Sequence, residues 1–300
     1  MNNKNFKDFI DEVSTKIREH LAENLCNCNI GIKNVTKNNG LLLTGIYIQN
    51  PDSRVTPIVY LNGFYERYRD GQPMDDIIED IIKNCIDNRG ESLFNIEDFS
   101  DFNAVKDKIR PKLISKEWNK EILKNAVYTE LLNLAVIYQV CLHETDEGTT
   151  ACVTVNKQIL DTWGISVEEL HRIAANNMMA QTPCELKTMS EILTDLTGDP
   201  IPNDALPDNE MLILTNNKKF NGAASMLDNQ MLGLIAAQLG NFYIIPSSIH
   251  ELIVLPTKIT DAASLKDMVM AVNQAEVSPE ERLSDNVYMY STENGLSLAA

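Results

Sequence analysis

The runs of strand-forming residues in this chain are joined to their neighbours by short turns, and this constrains its fold more than any other feature. Residues 30–35 and 41–48 flank Asn39-Gly40, a pair that supplies the positive φ angles of a two-residue hairpin turn. In that register Val35 faces Thr44. Residues 136–142 and 150–155 flank Asp146-Glu147-Gly148 in the same way, and the apolar runs 242–246 and 251–255 are separated by only four residues. Parallel neighbours need a crossover of a dozen or more residues, so these connections imply antiparallel pairing. The expected fold class is α+β, with mixed or antiparallel sheets and flanking helices in two subdomains, and not a doubly wound parallel sheet.

Helical periodicity supplies the rest. Phe6, Phe9, Ile10, Val13, Ile17 and Leu21 form one stripe over residues 6–25. A third strand is expected over 55–61, then a short helix over 64–68. Asp70-Gly71 and Pro73 precede a helix in which Met74, Ile77, Ile78, Ile81, Ile82 and Cys85 form a buried stripe and Asp75 and Asp76 favour the N-terminal turn. Residues 126–134 fit either a helix or a strand, and a helix follows over 156–162. Ser166 with Glu169, Thr188 with Glu191 and Ser278 with Glu281 each have capping-box spacing and mark three helix starts. The prolines and acids of 198–208 read as an exposed loop. From Met211 onward the pattern is strand 211–215, helix 222–239 ending at Gly240, strands 242–246 and 251–255, helix 261–275 and strand 286–290.

Three hundred residues exceed the usual size of one core, so two domains are expected, 1–125 and 126–300. The net charge of -17 divides unevenly between them: counting Lys and Arg against Asp and Glu gives 18 to 20 through residue 125, and 8 to 23 beyond it. A second half near -15 repels phosphate and anionic lipid, which argues against direct nucleic-acid or membrane binding. No apolar run has the length of a membrane span and the N-terminus lacks the apolar core of a secretion signal, so cytoplasmic residence is expected. The six cysteines are too few and too scattered for a disulfide scaffold and read as reduced thiols. Neither glycine-rich phosphate-binding motif is present, so no nucleotide cofactor is expected.

Three groups of residues invite a chemical reading. If Thr145 faces Gly148, Cys141 faces Cys152, and strand alternation puts His143 on the face of Cys141. A metal or redox site there needs a further ligand, such as Glu144 or Asp161; the alternative is two apolar thiols in a sheet core. Cys26 and Cys28 are too closely spaced for an ordinary zinc site. Ser247, Ser248, His250 and Glu251 form the loop most like a binding site. As a catalytic group, Ser248 or Ser247 would attack, His250 would act as base and Glu251 would orient it; the competing reading is turn chemistry. The basic run 106–124, interleaved with acids, reads as a solvated helix face. His20 and His171 lie on helices without ligand-spaced partners.

The segment 242–256 with Gly222-Ala223-Ala224-Ser225-Met226-Leu227 resembles an uncharacterised domain-of-unknown-function family of Gram-positive gut anaerobes. Tyr60-Leu61-Asn62, Phe64-Tyr65 and residues 71–76 are similar to that family's first half. The second half is more loosely similar to another group of uncharacterised bacterial cytoplasmic proteins. Neither resemblance implies a catalytic residue or a cofactor. The leading expectation is therefore a non-catalytic interaction or accessory protein with an unknown protein partner, for which a basic one suits the charge. The alternatives are a hydrolase or metal-dependent enzyme using the 247–251 loop or the Cys141, His143 and Cys152 cluster, and an acidic nucleic-acid mimic.

Overall fold

A computed structural model describes residues 4–23, 28–49, 56–87, 99–145, 148–198 and 211–300. Two compact units divide the chain, Met1–Lys37 with Leu41–Ile96 and Asn38–Gly40 with Glu97–Ala300. Among the described residues no helix is long and apolar enough to cross a membrane.

In the first unit, helix α1 (Phe6–Glu23) precedes strands β1 (Asn29–Thr36), β2 (Leu42–Gln49) and β3 (Val59–Tyr60), which form an antiparallel sheet in that order. Helices α2 (Leu61–Arg69) and α3 (Met74–Asp87) follow. Phe9, Val13 and Ile17 of α1 and Ile77 and Ile81 of α3 are fully buried in one core with Ile46 of β2 and Leu61 of α2. The expected stripes of α1 and α3 are thus the faces that pack. Lys16 pairs with Asp75 and Arg67 with Asp80 outside that core. Exposed pairs of this kind add little; burial supplies most of the stability.

Two local expectations change in this unit. Val35 faces Leu43, not Thr44, because the hairpin tip holds three residues, Asn38-Asn39-Gly40, closed by Lys37 N–H donating to the Leu41 carbonyl at 2.7 Å. The third strand is only two residues long, since Leu61 already starts α2.

The second unit begins with α4 (Phe102–Val105), a 3-10 turn (Lys106–Lys108), β4 (Ile109–Ser115) and α5 (Lys120–Leu123). Strands β5 (Tyr128–Leu131), β6 (Leu134–Thr145) and β7 (Gly148–Thr154) complete a four-stranded antiparallel sheet. Long β6 pairs with β4 along one edge and with β5 and then β7 along the other. The basic run is therefore not one helix face: it is divided among the 3-10 turn, β4, a turn and α5, with only Arg110 and Lys112 of its basic residues on the strand. Pro111 explains why: it cannot continue a helix but is tolerated on β4, an edge strand. Because β4 pairs with β6, the division expected at residue 125 falls within this sheet, whereas the compact units part between Ile96 and Glu97.

Helices α6 (Lys157–Trp163) and α7 (Val167–Gln181) lead to β8 (Cys184–Thr188) and α8 (Met189–Thr197). Ser166 caps α7 and Thr188 with Glu191 makes the full reciprocal box at α8. The expected loop at 198–208 lies outside the described residues beyond Gly198. Strand β9 (Leu212–Asn216), a 3-10 segment (Gly222–Leu227), α9 (Asn229–Leu239), β10 (Phe242–Pro246), β11 (Leu252–Pro256), α10 (Ala262–Ala275), β12 (Tyr288–Ser291) and β13 (Gly295–Leu298) complete the chain. The helix expected over 222–239 is split where Asp228 caps α9, its carboxylate accepting from Gln230 and Met231 N–H groups. Ser278 starts no helix; Glu281 N–H closes a turn on its carbonyl.

Strands β8 to β13 form a six-stranded antiparallel sheet in the order β13-β12-β10-β11-β9-β8. One face, with Phe242, Ile244, Leu252 and Val254, shares a core with Leu113, Val136 and Tyr138 of the four-stranded sheet and with Leu170 of α7. On the other face Ile245 and Leu255 pack against Leu265 and Val269 of α10. Cys28 is disulfide-bonded, contrary to the expected reduced thiols, while Cys85, Cys141, Cys152 and Cys184 are thiols outside any disulfide.

Ile77→Ala in the first core removes a side chain with no exposed surface. A loss of about 2–5 kcal/mol is expected, read as a lower urea midpoint by circular dichroism; an unchanged midpoint contradicts the packing described.

Candidate functional site

The loop joining β10 to β11 lies beside the segment linking β9 to the 3-10 turn, and their hydrogen bonds fasten the two together. Gly222 makes this approach possible. A Cβ there would lie 2.2 Å from Thr215 Oγ1 and 2.3 Å from the His250 carbonyl oxygen, so only a residue without a side chain fits. Ala223 N–H donates to the Ile249 carbonyl at 3.2 Å, and Thr215 Oγ1 donates to the His250 carbonyl at 2.8 Å. Lys219 and Asn221 both take left-handed backbone angles, φ 51°, to make the turn. Asn216 holds its inside: Oδ1 accepts from Lys218 N–H at 3.0 Å and Nδ2 donates to the Phe220 carbonyl at 2.9 Å.

Within this clasp each candidate side chain has a structural partner. Ser247 Oγ donates to Glu251 Oε1 at 3.1 Å, and Ser248 Oγ accepts from His250 N–H at 3.0 Å. His250 Nδ1 accepts from Asn221 N–H at 3.1 Å, so the ring proton sits on Nε2, and Phe220 packs against the imidazole. Burial pushes the His250 pKa below its ordinary 6.5; Lys112 adds to that, and Glu281 and Glu251 oppose it. The nucleophilic reading needs serine donating to histidine and histidine oriented by the carboxylate. Here the carboxylate accepts the Ser247 hydrogen bond and the imidazole faces a backbone amide.

Cys141 and Cys152 pair as the hairpin arithmetic requires, with Cys152 Sγ donating to Cys141 Sγ at 3.4 Å. The ladder is irregular between Cys141 and His143, so simple alternation does not carry through to His143, whose side chain is outside the described residues. Among the described residues no three His, Cys, Asp or Glu side chains form a group able to hold a metal ion. Cys141 instead helps line a cavity of about 20 Å³ with Arg110, Thr182, Asn216, Lys218 and Asn221. That is the room one water needs. Asn221 Oδ1, buried and without a hydrogen-bond partner among the described residues, lies in its wall, while Asn221 Nδ2 donates to Gln139 Oε1 at 3.0 Å.

His171 is not an isolated helix-edge residue. Its Nδ1 lies 2.9 Å from the hydroxyl of buried Tyr138, which also bonds Thr129 Oγ1 at 2.8 Å. Burial pushes the Tyr138 pKa up to about 12, so it keeps its proton and ties α7 to the sheet. No local spacing announces this trio, because it joins β5, β6 and α7.

Fold and loop geometry together define an antiparallel α+β protein whose β10–β11 connection is a structural clasp. The chain belongs to DUF5688, a family of unknown function, whose model matches residues 6–292. No curated protein and no solved structure matches it.

Gly222→Ala is expected to destabilise the second unit by at least about 1–3 kcal/mol, since the His250 carbonyl must move. Tryptophan fluorescence, from Trp118 and Trp163 of this unit, checks this during urea unfolding. His250 contributes stability that is fully present above pH 6.5 and is lost as the pH falls through that value toward its lower folded pKa. The unfolding midpoint should therefore fall between neutral and mildly acidic pH, and less steeply in His250→Ala; parallel profiles for the two proteins would count against this role.

Proposed function

We propose that this protein is a cytoplasmic, non-catalytic interaction or accessory protein that holds a basic protein partner. One observation carries this reading, the outer face of α10. Its inner face, Leu265 and Val269, is buried on the sheet, yet Met268 is 61% exposed and Val272 46%. Ala271 and Ala275 are exposed beside them. Positions 268, 271, 272 and 275 follow the i, i+3, i+4, i+7 spacing of a packing stripe, here turned to solvent. Scattered apolar residues are ordinary on a surface, but a contiguous stripe marks an interaction site. Methionine suits such a site because its side chain adapts to a partner's contours.

Charge favours a basic partner. Exposed Asp261, Asp267 and Glu276 flank the stripe, and the whole chain carries -17. An amphipathic helix with apolar residues between Lys and Arg would cover the stripe and pair with its rim. The hydrogen-bonding of Ser247, Ser248 and His250 is compatible with this reading, since their polar groups serve the loop itself.

The full-length chain and its Met268→Asp, Val272→Asp double variant, used as baits in lysate of the source organism, test the proposal. At about 0.1 M salt, where charges are felt over roughly 10 Å, the wild type should retain a basic protein and the variant should lose it by about tenfold or more, equivalent to about 1.4 kcal/mol. Equal capture by both baits, or retention of acidic proteins only, would overturn it.

A further inference from the structure

We propose that Cys141 and Cys152 form a reversible oxidation site, closing to a cross-strand disulfide by exchange with a low-molecular-weight disulfide. The two cysteines are directly opposed on β6 and β7, with their sulfurs 3.4 Å apart. Opposed residues of an antiparallel pair have Cα atoms about 4.5–5.5 Å apart, within the roughly 4.4–6.8 Å that a disulfide spans. Bond formation draws the sulfurs together by somewhat more than ~1 Å. The ladder has a place to yield: its register shifts immediately after Cys141.

Accessibility assigns the two roles. Cys152 is half-buried and meets the reagent; Cys141 is 3% exposed and closes the bond from within. Cys152, having lost its proton to water, attacks one sulfur of the small disulfide RSSR, giving Cys152–S–S–R and releasing one thiolate. Cys141, deprotonated in turn, attacks the Cys152 sulfur and releases the second thiolate. Two protein thiols are oxidised, RSSR is reduced to two thiolates, and these take up the two protons released to water, giving two RSH. Cross-strand bonds tend to be strained, and strained disulfides are readily reduced, which makes the site reversible.

The other described thiols are poorly placed for this chemistry. Cys85 is only 1% exposed in the first core. Burial pushes the Cys184 pKa up to about 11, and its thiol lies against Asp228 Oδ2 at 3.5 Å.

Treatment of the full-length protein with oxidised glutathione, followed by blocking of remaining thiols, cleavage at Glu144 and Glu147, which separates the two cysteines, and mass spectrometry tests the assignment. The expected product is a Cys141–Cys152 cross-linked peptide pair, two hydrogens lighter than the sum, that dithiothreitol restores. Cys141→Ala should stop at a single glutathione adduct on Cys152, and Cys152→Ser should leave Cys141 unreacted. A glutathione adduct accumulating on Cys152 in the wild type without the cross-link would overturn the proposal. So would an unreacted pair in the folded protein whose thiols react once it is denatured.

Discussion

The close approach of Gly222 to Thr215 and His250 is the constraint on which the second unit's polar architecture depends. It lets the segment after β9 lie against the β10–β11 loop, where a side chain of any size would displace the His250 backbone carbonyl. From it follow the left-handed turn at Lys219 and Asn221 and the amide directed at His250 Nδ1. Asn221 then reaches across to Gln139 on β6, so one short segment links the two sheets through hydrogen bonds while their apolar faces share one core.

Burial sets the chemistry of this interior. A polar group removed from water must find a partner or lose its charge. Tyr138 and Tyr288 keep their protons, each with its pKa pushed up to about 12 by desolvation, and each bonds side chains from other elements. His250 is held neutral for the same reason. These groups tie strands, helices and loops together, and their perturbed acidities follow from structural work.

The contrast lies on the outside of the six-stranded sheet. Helix α10 covers one face with Leu265 and Val269 and turns a second apolar stripe outward. Helix α9 contains no charged residue and exposes Leu234, in a chain where nearly a quarter of the residues are charged. The acidic side chains that dominate the second half thus leave apolar residues on both helices open to solvent.

Periodicity and turn chemistry were enough to read the α+β class, the packing stripes of α1 and α3, the caps at Ser166 and Thr188 and the Cys141–Cys152 pairing. Each depends on residues a few positions apart, whose spacing decides which face they share. The Val35 register depended on whether the tip held two residues or three, and Asn-Gly alone does not fix that length. The middle of the basic run became β4, where Pro111 bars a helix and the backbone pairs with β6, so the run could not form one helix. What the site residues do was set only by tertiary structure: Ser247, Ser248, His250 and Glu251 are adjacent in sequence, but their partners include Asn221, and His171 meets Tyr138 from another element. Local spacing cannot specify such encounters, because they arise when separate elements bury their apolar faces together and the polar groups caught between them must be satisfied.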